Sequence, residues 1–197
     1  MSTVRMPDAA AQAFLAARGS VPARLLGAPG PDAQQRRWLL ELALRVPDHG
    51  ALTPWRLISL EGEDKLRFGE RLAARAQARN PQLPAEKQEK ERLRYTYAPW
   101  VLVVVARIDA DHPKIPAQEQ MLSAGCVAYN LLLGAQALGY GAQWLTGWAA
   151  YDEQVAALLG LAAGERVVGF VHIGSVTATP APRPRPDPAP RVRAWTA

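Results

Sequence analysis

The sequence predicts one domain in which helices pack on a sheet, and three observations support this class. The chain has 197 residues, of which 49% are apolar and 21% charged, enough for one substantial core. The valine-rich run at residues 99–106 is typical of a strand in a sheet covered on both faces. Residues 117–138 have a helical pattern and are apolar nearly all round, which predicts a long buried helix. We assign residues 1–176 to the domain and residues 177–197 to an extended tail rich in proline and arginine.

The other elements follow from periodicity and capping signals. Asp32 followed by Gln35 is a capping-box pattern, and Asp152 is a candidate N-cap. We expect Leu66 and Leu72 to face inward, and the charged helix at residues 85–95 to be a solvated outer helix. Further helices are predicted at residues 7–18, 32–44, 63–79, 85–95 and 153–159, and further strands at residues 55–60, 142–146 and 166–175.

Charge and cysteine content narrow the choice of partner and compartment. The net charge of +5 rests mainly on scattered arginines, and no RNA- or DNA-binding motif accompanies them. An anionic cofactor or substrate explains this excess equally well, so we predict no nucleic-acid partner. The single cysteine, Cys126, and the lack of a signal-peptide pattern predict a cytoplasmic protein. Asn130 and Gln136 interrupt the most apolar stretch, which favours a buried helix over a membrane span.

Several common catalytic signatures are missing from the sequence. No glycine-rich nucleotide loop follows a strand, and no serine lies in a nucleophile-elbow motif. His49, His112 and His172 lack the spacing of zinc ligands, so no metal site is predicted. Cys126 lies mid-helix among apolar residues, which is typical of core packing. Hydrolases and metalloenzymes are therefore disfavoured.

The connection between the second predicted helix and the next strand combines two prolines with a histidine. Pro47 and Pro54 fix their own φ and push the preceding residues, including Thr53, out of the helical region. We expect a stiff, extended segment that holds Arg45 and His49 in place without an ordering cost on binding. An ordinary helix-to-strand connection is the alternative interpretation.

Two other segments carry candidate contacts for an anion and for a ring. Arg18 and Ser20 flank Gly19 just past a helix, where a guanidinium, a hydroxyl and a backbone amide could meet a phosphate. A helix C-cap at Gly19 is the alternative. Trp144 and Thr146 end a strand and could contact a flat ligand, although aromatic residues there also suit a core.

Together these segments resemble the compact branch of the FMN-dependent nitroreductase family, over about residues 10–176. The resemblance rests on five separated motifs in the family's order, none of them sufficient alone. They are Arg18-Gly19-Ser20, Arg45-Val46-Pro47-Asp48-His49-Gly50, Pro54-Trp55-Arg56, Glu119-Gln120-Met121-Leu122-Ser123-Ala124-Gly125-Cys126 and Gly139-Tyr140-Gly141-Ala142-Gln143-Trp144.

The resemblance implies an α+β homodimer with a nitroreductase-like fold, in which a mainly antiparallel central sheet packs between helices and FMN binds at the dimer interface. It assigns the ribityl phosphate region to Arg18, Gly19 and Ser20, and further FMN contacts to Arg45 and His49. It assigns contacts from the other side of FMN to Trp144, Leu145 and Thr146. The nicotinamide nucleotide is assigned to Gly134, Ala135, Gln136, Ala137, Leu138 and Gly139.

Two positions depart from the family pattern. Gly19 stands where a second arginine is usual, which removes one positive charge from the phosphate region, and Leu145 stands where relatives can carry arginine. We expect weaker FMN binding, unless Arg183 and Arg185 of the tail supply the missing charge.

The implied reaction passes hydride from NAD(P)H through FMN to a nitroaromatic or quinone-like acceptor, and the flavin carries the chemistry. No catalytic side chain stands out, so solvent is expected to supply protons. Two alternatives remain at this point. One is another flavin enzyme on the same fold, such as an enone or flavin-modifying reductase. The other is a basic module that binds polyanions and no flavin.

Overall fold

The computed structural model describes residues 7–196, in which six α-helices and five strands surround two apolar cores. Four short 3₁₀ turns lie in the connections and the tail, namely Ala23–Leu25, His49–Ala51, Trp148–Ala150 and Ala189–Arg191. The helices are α1 (Ala9–Ala16), α2 (Ala33–Ala43), α3 (Gly62–Arg79), α4 (Ala85–Leu93), α5 (Ala117–Ala137) and α6 (Glu153–Leu158), and the strands are β1 (Leu26–Gly27), β2 (Trp55–Glu61), β3 (Trp100–Arg107), β4 (Gly141–Leu145) and β5 (Glu165–Val176).

The sheet is antiparallel at every strand pairing within the described residues. Its order is β2–β3–β5–β4, and the two-residue strand β1 pairs with Ser175 and Val176 at the end of β5. One irregularity between Val104 and Val105 shifts the β3–β5 register. The predicted mainly antiparallel sheet is therefore confirmed, and only the short strand β1 was not anticipated.

Helices cover both faces of this sheet. One core joins α2 and α5 to one face, and the other joins α3, α6 and the segment after α4 to the opposite face. Alternate residues of β3 serve the two cores, so the whole strand except Arg107 is buried. This confirms the prediction of a strand covered on both sides.

The predicted capping signals are confirmed in detail. The Asp32 carboxylate accepts from the Gln35 amide at 2.8 Å, and the Gln35 side chain accepts from the Asp32 amide at 3.0 Å. Asp152 accepts from the amides of Gln154 and Val155 at 3.0 and 3.1 Å, which starts α6.

Two predictions about helix faces need correction. Leu66 is 48% exposed while Leu72 is fully buried, because six residues rotate a helix by about 240°. The helix α5 is mostly buried as predicted, but one face is uncovered, with Leu122 at 61% and Tyr129 at 43% exposure. Among the described helices, none has the length and apolarity needed to cross a bilayer.

His172 is a fully buried histidine on β5, beneath the ring of Tyr95 at 5.4 Å between centroids. Neither ring nitrogen has a hydrogen-bond partner among the described residues. Burial, reinforced by the charges of Arg94 and Lys65, lowers the pKa of His172 to about 3. The folded protein therefore keeps this imidazole neutral at physiological pH.

We predict that His172 makes the fold sensitive to mild acid. The unfolded chain takes up a proton near pH 6.5 and the folded chain only near pH 3, so stability is complete above pH 6.5 and falls as pH decreases between these values. Urea unfolding at pH 7 and pH 5 should show a loss of about 2 kcal/mol from this group. His172→Leu should reduce that loss, and an unchanged pH dependence in the variant would contradict the assignment.

Candidate functional site

A cavity with a volume of about 730 Å³ lies between α5, the end of β4 and α6. Met121, Leu122 and Gly125 form its α5 wall, and Trp144 and Thr146 form its β4 wall. Its size and mostly apolar lining suit a flat organic ligand. Two of the predicted FMN contacts, Trp144 and Thr146, thus share one cavity.

The indole of Trp144 is held in this cavity by two glycines. A Cβ on Gly169 would lie 1.9 Å from the indole Nε1, and one on Gly125 would lie 3.8 Å from its Cη2. The Nε1 donates to the Val168 carbonyl at 3.2 Å. Gly169 was missed by the sequence analysis, although a glycine inside an apolar strand is a signal of close approach.

Leu145 does not line the cavity. Successive side chains of a strand point to opposite faces, so Leu145 and Gln143 point away from the side that Trp144 occupies. The three predicted residues 144–146 therefore cannot all present side chains to one ligand. Leu145 can contribute only its backbone on the Trp144 side.

Two carboxylates at the cavity wall are held by arginines. Arg75 donates to Asp152 through Nε and Nη2, both at 3.0 Å, and this lowers the pKa of Asp152. Arg56 donates to both oxygens of Glu165 at 2.7 Å, and this lowers the pKa of Glu165 to about 2. Both groups are ionised at neutral pH and cannot act there as proton donors.

The segment of Arg18, Gly19 and Ser20 lies beside the start of β4. The Val21 amide donates to the Ala142 carbonyl at 2.9 Å, and α1 is attached to α5 because Gln136 Nε2 donates to the Phe14 carbonyl at 2.7 Å. Arg18 is half-buried, whereas Gly19 and Ser20 are exposed.

The backbone at Gly19 imposes no need for glycine. A Cβ there would meet only the Ala17 carbonyl oxygen, at 3.9 Å, and its φ lies outside the left-handed region. The alternative interpretation of Gly19 as a left-handed helix cap is therefore wrong, and a side chain could stand at this position. The tail reaches the same place, where Arg185 Nη2 donates to the Arg18 carbonyl at 2.7 Å.

The segment that carries Arg45 and His49 runs along α5 and is attached to it. Asn130 Nδ2 donates to the Arg45 carbonyl at 2.9 Å, and Ser123 Oγ donates to the Pro47 carbonyl at 2.6 Å. The side chains of Arg45 and His49 are exposed. His49 Nδ1 lies 2.8 Å from Glu119 Oε2, a partner that the sequence analysis did not identify.

The backbone here differs from the extended segment expected. Ala51 and Thr53 both have φ of +51°, and His49–Ala51 forms a 3₁₀ turn. Thr53 does leave the right-handed helical region, as predicted, but into the left-handed region. The Asp48 carboxylate stabilises this turn by accepting from the Thr53 amide at 2.8 Å.

The two groups of predicted FMN contacts lie on opposite flanks of α5. Ser123 and Asn130 face the Arg45–His49 segment, whereas Gly125 and Gln136 face β4 and α1. At about 100° per residue, the uncovered face with Leu122 and Tyr129 falls between these flanks.

Most of the segment 134–139 has a structural role. A Cβ on Gly134 would lie 2.7 Å from Leu39 Cδ2, so this glycine allows α2 to pack closely on α5. Gly139 has a φ of +80° and ends the helix. Only Ala137 and Gly139 of the six predicted nicotinamide contacts are exposed.

This architecture defines the class of protein, an α+β fold of the nitroreductase type. The nitroreductase-like family protein of Bacillus cereus superposes with a TM-score of 0.78 at 22% identity, covering 99% of this chain and 98% of that one. The NADPH:FMN oxidoreductase of Vibrio harveyi, solved with NAD⁺, superposes with a TM-score of 0.70 at 19% identity, covering 93% of this chain and 76% of that one. The nitroreductase of Bacteroides fragilis, solved with bound FMN, superposes with a TM-score of 0.68 at 19% identity, covering 94% of this chain and 98% of that one.

Sequence comparison identifies the family. The model of the nitroreductase family matches residues 15–175. A Haemophilus influenzae protein named "Putative NAD(P)H nitroreductase" is 38% identical over 150 residues, which are 76% of this chain and 80% of that protein. A second relative, "Putative NAD(P)H nitroreductase YdjA" of Escherichia coli K12, is 32% identical over 150 residues, which are again 76% of this chain and 80% of that protein. The chain belongs to the nitroreductase family, which confirms the resemblance seen in its motifs.

Proposed function

We propose that this protein is an FMN-dependent oxidoreductase that uses NAD(P)H to reduce nitroaromatic or quinone-like acceptors in the cytoplasm. Family membership and the names of the relatives support the cofactor, the co-substrate and the class of reaction. The observation that carries the proposal for this chain is that the Arg18–Ser20 segment and the Trp144–Thr146 segment lie at opposite ends of β4.

The distance between these segments fits FMN. The Val21 amide bonds to Ala142, and Thr146 follows four residues later, so the two ends are about 13 Å apart along the strand. An extended ribityl phosphate together with the adjoining part of the flavin ring has a length of that order. The Arg18 guanidinium and Ser20 hydroxyl would bind the phosphate, and the Trp144 indole and Thr146 hydroxyl would contact the ring.

FMN, when bound, supplies the hydride relay between the nicotinamide and the acceptor. The chain's own residues orient it and exclude water from one side of the ring. In this arrangement the side chain of Leu145 points away from the ring, so its apolar character does not reduce FMN affinity. The remaining departure, Gly19, is offset by Arg185, whose guanidinium already contacts the Arg18 carbonyl.

Arg45 and His49 fit this site best from a partner subunit. They lie on the flank of α5 opposite to β4, with the uncovered apolar face between. Pairing two copies through the Leu122–Tyr129 face would bury it, and a twofold axis running roughly along α5 would bring each flank beside the other flank of the partner. Glu119 would then hold His49 Nδ1 and leave Nε2 directed toward the shared ligand. The proposed assembly is therefore a homodimer.

The nicotinamide contacts assigned to residues 134–139 stay a prediction, in which exposed Ala137 and Gly139 offer the accessible backbone. Since the two carboxylates at the cavity wall are ionised, we assign proton delivery to solvent rather than to Asp152 or Glu165.

The function is tested by cofactor analysis and an acceptor panel. We expect the purified protein to be yellow, to release FMN on denaturation and to oxidise NAD(P)H with nitroaromatics and quinones. Bound FMN with activity on enones or flavins alone would favour the other flavin enzymes on this fold. A colourless protein whose affinity for polyanions falls steeply with salt would overturn the proposal.

The phosphate assignment is tested with arginine variants. Arg18→Ala should weaken FMN binding by about 10- to 100-fold, because it removes a charge-assisted contact worth roughly 1.5–3 kcal/mol. The double variant Arg183→Ala with Arg185→Ala should weaken FMN binding as well. Arg24→Ala, an exposed arginine six residues from Arg18, is the matched control and should bind FMN normally. Equal FMN dissociation constants for all these variants by fluorescence titration would rule out the assignment.

The dimer is tested at the uncovered face of α5. Leu122→Glu with Tyr129→Glu places charges in the proposed interface and should give a monomer that loses FMN. Leu66→Glu changes an exposed leucine on α3, away from this face, and should leave a yellow dimer. Sedimentation velocity with absorbance at the flavin band measures both properties. A Leu122→Glu/Tyr129→Glu protein that stays dimeric would place the interface elsewhere.

A further inference from the structure

A second cavity, which none of the motifs explains, lies between α3 and α4, on the face of the sheet opposite to α5. It has a volume of about 390 Å³ and ends at the ring of Trp148, two residues beyond Thr146. We call it the α3–α4 groove. Four cationic side chains line it, namely Arg79, Lys87, Lys90 and Arg94.

The positive charge of the groove exceeds its negative charge. Glu91 is the carboxylate in its lining, and it accepts from Arg94 Nη2 at 2.6 Å and from the Trp148 indole at 3.1 Å. Asp152 at the edge lies 3.5 Å from Arg79 Nε. Subtracting these two carboxylates from the four cations leaves about two positive charges.

The surplus positive charge lies on two lysines of α4. The ammonium groups of Lys87 and Lys90 have no ion pair or hydrogen bond among the described residues, their side chains are exposed, and they are two of only four lysines in the chain. The Nε of Arg94 is also a buried donor without an acceptor in the described part of the chain. The acidic Glu89 does not neutralise them, because it pairs with Arg92 at 2.5 Å.

The rest of the groove can hold an organic group attached to the anion. Ala76 and Leu83 supply apolar surface, and the Arg79 guanidinium stacks on the Trp148 ring with Cζ 4.7 Å from the centroid. A phosphate monoester carries between about 1.5 and 2 negative charges at neutral pH, which matches the surplus.

We propose that the α3–α4 groove binds a phosphate monoester. This inference rests on the proposed function, under which a phosphate monoester has two sources. They are the 2′-phosphate of NADPH and a separate phosphorylated ligand. The first source would give a preference for NADPH over NADH. In either case Lys87 and Lys90 supply the neutralising charge, and α4 is more than the solvated outer helix that its composition predicts.

The site is tested with inorganic phosphate as the probe. Phosphate should raise the thermal unfolding midpoint of the purified holoprotein beyond the effect of potassium chloride at equal ionic strength. Lys87→Gln with Lys90→Gln should weaken phosphate binding by about 10- to 100-fold, since two charge-assisted contacts are removed. Lys114→Gln, an exposed lysine outside the groove, is the control and should respond like the wild type.

A second arm distinguishes the two sources. A KM for NADPH that rises in the Lys87→Gln/Lys90→Gln protein, with the KM for NADH unchanged, identifies the 2′-phosphate. Loss of phosphate binding with both KM values unchanged identifies a separate phosphorylated ligand. The proposal is overturned if phosphate stabilises no form of the protein, or stabilises the double variant as well as the wild type. The thermal readout needs no turnover, so failure of the proposed oxidoreductase activity would be seen separately.

Discussion

Hydrogen bonds from polar side chains of α5 to backbone carbonyls position two segments of the candidate FMN site and the loop that precedes the helix. Ser123 and Asn130 fix the segment with Arg45 and His49, Gln136 fixes α1 and thereby Arg18, and Gln120 fixes the loop before α5 through the carbonyls of Asp109 and Ile115. Gln120 and Ser123 are buried, so the loss of their carbonyl acceptors would leave costly unpaired donors in the interior. The helix is therefore a scaffold on which three separate loops are held in one relative arrangement.

The sequence predicted most elements because the signals for them are local. Helix periodicity, the Asp32 capping box and the valine run of β3 depend on neighbours a few residues apart, and the elements they predict are present, although the inward position predicted for Leu66 is wrong. Such signals do not report the close approach of residues that are far apart in the sequence. Nothing local to α3 shows that a Cβ on Gly69 would lie 2.1 Å from the Arg92 carbonyl oxygen, so the close packing that forms the α3–α4 groove could not be derived. The motif resemblance identified candidate site residues, but strand alternation separates Leu145 from Trp144 and Thr146.

The incomplete burial of α5 connects the fold to the site. A helix that is apolar all round is stable only when every face is covered, and here α2, the sheet and α1 leave the Leu122–Tyr129 face exposed. The same face separates the two flanks that carry the predicted FMN contacts. In the proposed homodimer, one twofold contact with its axis along α5 would satisfy both conditions, since it would cover the apolar face and join the flanks. Under that proposal, burial and ligand binding are served by the same assembly.

The turn before β2 adds backbone strain to this arrangement. Two non-glycine residues, Ala51 and Thr53, have positive φ, each at a cost of order 1–3 kcal/mol. That cost is offset by the Asp48 carboxylate on the Thr53 amide and by the α5 side chain on the Pro47 carbonyl. Such a turn has little freedom left to lose when a ligand arrives, which is the condition under which an exposed side chain binds with least entropic cost. His49, exposed at the start of the turn and held by Glu119, is the residue that benefits. The strained turn thus holds His49 in a fixed position at the proposed interface before a ligand binds.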